Sequence, residues 1–162
     1  VSDPQRSKAP LQLELDSDPR YLAGAREMVA AVARRFGFAE TACARIALAV
    51  DEALANVICH GYDRDPGGRI WLSVEPPGAV PFLRIVIEDE GGQVEPDRIR
   101  SRDLGDIRPG GLGVHIINEV MDEVRYEKRD PAGMRLIMLK RHDTHPEGGH
   151  GAPRSSEEDP ER

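Results

Sequence analysis

The chain reads as an α+β two-layer sandwich, a mixed, mostly antiparallel sheet covered on one face by helices. Three observations lead there. One strictly alternating run, Leu11 to Leu15, is followed by two long helical stretches. After these, four strand-like runs follow one another, most joined by short turns. Only one further helical stretch interrupts them, too few helices for the two faces of a doubly wound sheet.

Each element has a local reason. Leu11-Gln12-Leu13-Glu14-Leu15 has the period of a half-buried strand. Ser17 or Asp18 caps a helix with Pro19 in its first turn. That helix runs to about Arg35, with Leu22, Met28, Val29, Val32 and Phe36 facing inward, and Gly37 closes it. A second helix begins at Thr41 and runs towards a stop at Gly61, with Ile46, Val50, Ala53, Val57 and Ile58 as its apolar face. Asp63 to Gly68 is a turn, and Arg69 to Glu75 alternates as a strand. After the connector Pro76-Pro77-Gly78, Phe82 to Glu88 is almost continuously apolar, which predicts a central strand. Gln93 to Pro109 is a long charged loop with two prolines, the kind of segment that serves as a lid. A helix from Val114 to Met121 and a hairpin of Val124–Lys128 with Met134–Lys140 complete the fold.

Composition bounds the rest. The 162 residues predict one domain, 11–141, preceded by a loose arm (1–10) and followed by a disordered tail (142–162) rich in Pro, Gly, Ser and Glu. A net charge of -7 argues against a general nucleic-acid binder. No apolar run approaches the ~20 residues of a membrane helix, and no basic-then-apolar leader opens the chain. Cys43 and Cys59 fall in apolar helical sequence and read as buried thiols of a reducing compartment, so the expected location is the cytoplasm.

Three segments could carry chemistry. Glu52 and Asn56 are four apart on the second helix, offset by about 40° and about 6 Å along the axis. Alone, the pair reads equally as a solvated Glu–Asn contact or as a proton acceptor beside a metal ligand. Asp89-Glu90-Gly91-Gly92 ends the central strand. A carboxylate there can accept from an exocyclic amine, with Gly91 letting the backbone approach a flat ring, although a plain turn has the same residues. Gly110-Gly111-Leu112-Gly113 precedes a helix, where free N–H groups and the helix dipole favour an anion. There is no Gly-x-x-x-x-Gly-Lys-Ser/Thr and no strand–Gly-x-Gly-x-x-Gly–helix unit, so neither a P-loop nor a dinucleotide fold is expected.

In this order the segments resemble the GHKL ATPase superfamily, and most of all its bacterial anti-sigma factor serine/threonine kinases. The helix motif is similar in Glu52, Asn56, His60 and Tyr62, the strand-end motif in Asp89 and Gly91, and the phosphate motif in Gly111-Leu112-Gly113. The resemblance covers roughly Leu11 to Arg141 and implies a Bergerat-type ATP-binding fold. It implies Glu52 as general base, Asn56 as ligand of Mg²⁺, Asp89 on the adenine amino group with Gly91 beside the ring, and Gly110 to Gly113 around the phosphates of ATP. Arg108 would neutralise charge on the transferred phosphoryl. It also implies partners: a sigma factor held from polymerase, a small STAS-type anti-sigma factor antagonist as phosphorylation substrate, and a second copy of the chain in a homodimer. Two positions depart from the pattern. Gln93 stands where many members carry glycine, and Gly133-Met134 replaces the usual Gly-Thr, removing a hydroxyl. His60 and His115 read as a helix-end cation and a surface or lid contact.

Overall fold

The computed structural model describes residues 10–75, 77, 81–99 and 112–142. The loose arm up to residue 9, most of the expected lid (100–109), Arg108, Gly110, Gly111 and the tail from 143 lie outside the described residues, as do 76 and 78–80 of the connector region.

Alternation builds the sheet. Strands β1 (Leu11–Asp16), β2 (Arg69–Glu75), β3 (Phe82–Asp89), β4 (Glu123–Lys128) and β5 (Met134–Arg141) stand in the order β1-β2-β3-β5-β4. β3 is central, as its apolar run predicts, and all four pairings are antiparallel. Leu72 lies opposite Ile87, Ile87 opposite Leu136, and Leu136 opposite Tyr126. The register therefore lays one row of apolar side chains across four strands on the same face.

Helices α1 (Leu22–Arg35), α2 (Glu40–Asn56) and α3 (Leu112–Val120) supply the residues that complete the core with that face. α1 meets the core through its expected face, with the smallest side chains the most deeply buried. Ala25, Val29, Ala30 and Ala33 are its buried residues, while Leu22, Met28 and Val32 are only partly covered. Small side chains leave room for α2 to lie close, and Cys43, Ile46, Ala49, Val50, Ala53 and Leu54 are buried along it. Phe38, rather than Phe36, enters the core. Cys43 is fully buried, which pushes its thiol pKa up, but Cys59 is only half-buried, contrary to the expectation for both thiols. His142 is held at the end of β5, its N–H on Pro81 O at 2.8 Å and its ring edge-on to Phe38. Among the described residues no helix is long and apolar enough to cross a membrane.

α2 does not stop as a plain α-helix. After Asn56 it widens into a π-helical turn, Val57–Gly61. Such wide turns often mark functional positions, because they re-aim the side chains that follow.

Candidate active site

The end of α2 and the end of β3 are strapped together. Gly92 N–H donates to Gly61 O at 2.7 Å. A side chain at Gly91 would run into the Gly61 backbone, so glycine is required there by the approach of one backbone to another. Tyr62 adds a second strap: its hydroxyl accepts from Glu90 N–H at 2.8 Å and donates to Arg69 O.

These straps leave a cavity of about 480 Å³ between α2, β3, β5 and the start of α3. Its apolar walls include Ala53, Val57, Ile87, Val114, Met134 and Leu136, with Val94 and Ile99 from the loop after β3. Asn56, His60, Asp89 and Tyr126 are its polar side chains. A mostly apolar cavity of this size with a few convergent polar groups suits a flat heterocycle with a polar extension.

Asp89 is the best-defined polar group in it. It is 2% exposed, and its Oδ1 accepts from Gly91 N–H at 2.8 Å and Met134 N–H at 3.3 Å. Among the described residues nothing donates to Oδ2. Burial raises the Asp89 pKa, against the opposing pull of those two N–H groups and the nearby Arg129 charge. Arg129 Nη1 also donates to Asp89 O, while its guanidinium lies 5.3 Å from the centre of the Trp71 ring and 3.4 Å from Glu88. Gln93 donates through Nε2 to both Arg129 O and Gly133 O. The residue that departs from the family pattern thus ties the Asp89 loop to the β4–β5 turn.

Glu52 and Asn56 meet the start of α3. A Cβ built on Gly113 would lie 2.7 Å from Glu52 Oε2, 3.4 Å from Asn56 Nδ2 and 3.5 Å from Asn56 Oδ1. Asn56 lines the cavity, whereas Glu52 stands at its margin beside Gly113. Leu112 is 61% exposed and points away from the core. Gly91 lies behind the cavity wall, against Gly61. Among the described residues no three His, Cys, Asp or Glu side chains cluster as a metal cage. The amide oxygen of Asn56 suits a hard cation that takes most of its ligands from water and a phosphate chain.

The comparison with known proteins decides the class. Residues 15–140 match the family model described as the histidine kinase-like ATPase domain. The chain belongs to that family. The motif resemblance to the anti-sigma factor serine/threonine kinases is upheld by the relatives. The chain is 27% identical over 139 residues to the serine-protein kinase RsbW of Bacillus subtilis, covering 80% of this chain and 84% of that one. It is 29% identical over 138 residues to the serine-protein kinase RsbW of Halalkalibacterium halodurans, covering 80% and 82%. Among solved structures, the RsbU and RsbW domains of Rv1364c from Mycobacterium tuberculosis share the fold, with a TM-score of 0.59 at 19% identity. That match covers 83% of this chain and 32% of that longer one.

Sequence reasoning missed Tyr126, Val94, Ile99 and Gly61 as parts of the cavity, and set His60 aside. For His60 the signal was present: it follows Asn56 by one turn on the same helix face. For the others, the sequence separation hides a proximity that only sheet register and the backbone straps create.

Proposed function

We propose that this chain is an anti-sigma regulatory factor with Mg-ATP-dependent serine/threonine protein kinase activity. In this reading it sequesters a sigma factor and phosphorylates an anti-sigma factor antagonist of the STAS type. The observation that carries it is the gathering of Asn56 and Asp89 in one cavity, with Glu52 and Gly113 touching at its mouth.

The chemistry follows from those positions. The adenine enters the apolar part, where Asp89 Oδ2 accepts from its exocyclic amine. The phosphates run towards the start of α3, where the N–H groups of Gly113 and the preceding Gly110, Gly111 and Leu112 take their charge. Arg108 serves the same end. Asn56 would hold Mg²⁺ through its amide oxygen, and the ion would screen charge on the phosphate chain. Glu52 accepts the proton of a serine or threonine hydroxyl as that oxygen bonds to the γ-phosphorus. The bond from the γ-phosphorus to the β–γ bridging oxygen breaks, and ADP leaves. The reading places the protein in the cytoplasm with its sigma factor. It pairs two copies through β1 and α1, where Leu11 is exposed and exposed Tyr21 shares a groove with Leu13, Gly24 and Met28.

One observation favours a second reading, a module that binds ATP and its partner without phosphoryl transfer: Glu52 does not itself line the cavity. Transfer of label from γ-labelled Mg-ATP to a candidate antagonist separates the two. Glu52→Gln is expected to keep nucleotide binding and lose transfer by about 10²–10⁴-fold, and Asn56→Ala to lose transfer. Equal transfer by Glu52→Gln and the parent would remove Glu52 as the base, and a parent that binds ATP without transfer would favour the second reading.

A further inference from the structure

We infer that Tyr126 is a base-recognition residue of the nucleotide site, its hydroxyl donating a hydrogen bond to a ring nitrogen of the bound purine. The inference rests on the nucleotide reading of the cavity and adds a specificity determinant on the wall opposite α2.

Tyr126 is on β4, one strand beyond β5, directly opposite Leu136 in register. It therefore shares the helix-facing side of the sheet with Leu136 and Ile87, and all three line the cavity. The ring packs against the core, and among the described residues its hydroxyl has no hydrogen-bond partner. The side chain is half-buried at the cavity wall, and a ligand that seals its hydroxyl from water must give it a partner, because desolvating the O–H without compensation is costly. Burial pushes the phenol up to about 12, so it is a neutral O–H donor at any physiological pH.

The remaining cavity groups leave this task open. Ionised Asp89 is an acceptor only, and suits an exocyclic amine but not a ring nitrogen. Asn56 stands at the α3 end, beside Gly113, where the charged part of the ligand lies. Met134, the neighbouring wall residue on β5, has no hydroxyl to offer. An aromatic base that fills the apolar part buries ring nitrogens needing donors; of the cavity side chains that carry one, His60 stands on the α2 side and Tyr126 on the sheet wall beside Leu136. Acceptor at Asp89 and donor at Tyr126 together select a purine with an amine on one edge and bare ring nitrogens elsewhere.

The test is titration calorimetry on the full chain, parent and Tyr126→Phe, with ATP and its 1-deaza, 3-deaza and 7-deaza analogues. Tyr126→Phe is expected to weaken ATP binding about fivefold to tenfold while leaving the unliganded melting temperature unchanged or higher. One deaza analogue should bind the parent more weakly by a similar factor, and for that analogue the two proteins should be equal. Parent and variant binding ATP equally would overturn the inference and leave the nucleotide reading standing. So would a loss of the same size with every analogue. A parent that binds no ATP would overturn both.

Discussion

Gly113 and Glu52 are in such close apposition that a methyl group on the glycine would come within 2.7 Å of the glutamate Oε2. The second residue of α3 is pressed onto the α2 pair that the proposed mechanism uses. Any ligand drawn to the start of α3 is drawn to that pair as well.

Gly113→Ala should therefore separate stability from activity. The atom it meets is the end of a flexible side chain, which can swing aside, and alanine favours the helix by about 0.4–1 kcal/mol. Thermal unfolding should move by no more than a few degrees. Phosphoryl transfer should fall by about tenfold or more, because a displacement near 1 Å at the base misaligns the reaction. A variant as active as the parent would show that Glu52 has no fixed catalytic position.

Gly91 and Gly133 predict the opposite pattern. A side chain at Gly91 collides with the Gly61 backbone, and one at Gly133 collides with Asp89 O, with the added strain of φ +86°. Backbone cannot swing away. Either substitution by alanine should cost about 2 kcal/mol or more, seen as a melting point lowered by roughly 10 °C. ATP should not restore it fully.

Asp89 carries a prediction about pH. Burial raises its folded-state pKa, so the folded chain disfavours the carboxylate relative to the unfolded chain. The associated stability is fully present below the ordinary carboxylate pKa of about 4 and is lost as pH rises through the raised folded value. Asp89→Asn keeps an oxygen for the Gly91 and Met134 N–H groups and removes the charge. The variant should melt higher than the parent at pH 7, with the difference shrinking to nothing as both are taken below about pH 4. Its ATP affinity should drop about 10- to 100-fold. A variant less stable than the parent at pH 7 would show that the carboxylate is stabilised where it lies.

Much of this was legible in the chain. The run of Phe82 to Ile87, apolar except for Arg84, marks a strand covered on both sides by neighbours, and β3 is central. Asn56 and Asp89, singled out by spacing and by their place at element ends, share a cavity. Ala25 and Ala33 of α1 were passed over because they contribute little hydrophobic signal, although both are buried. Tyr126 could not be found from its neighbours Arg125 and Glu127, since its role depends on standing opposite Leu136 across a hairpin. The wide turn after Asn56 has no propensity signature. It ends at the residue that the strap from Gly92 holds.

Trp71 is the only tryptophan in the chain, and the guanidinium over its ring belongs to the arginine that holds Asp89 by its carbonyl. The protein thus has a single indole wired, through one side chain, to the residue proposed to receive the base. Its emission should change when the pocket fills, with no dye attached. The far side of the sheet then becomes a window through which occupancy can be followed in milliseconds.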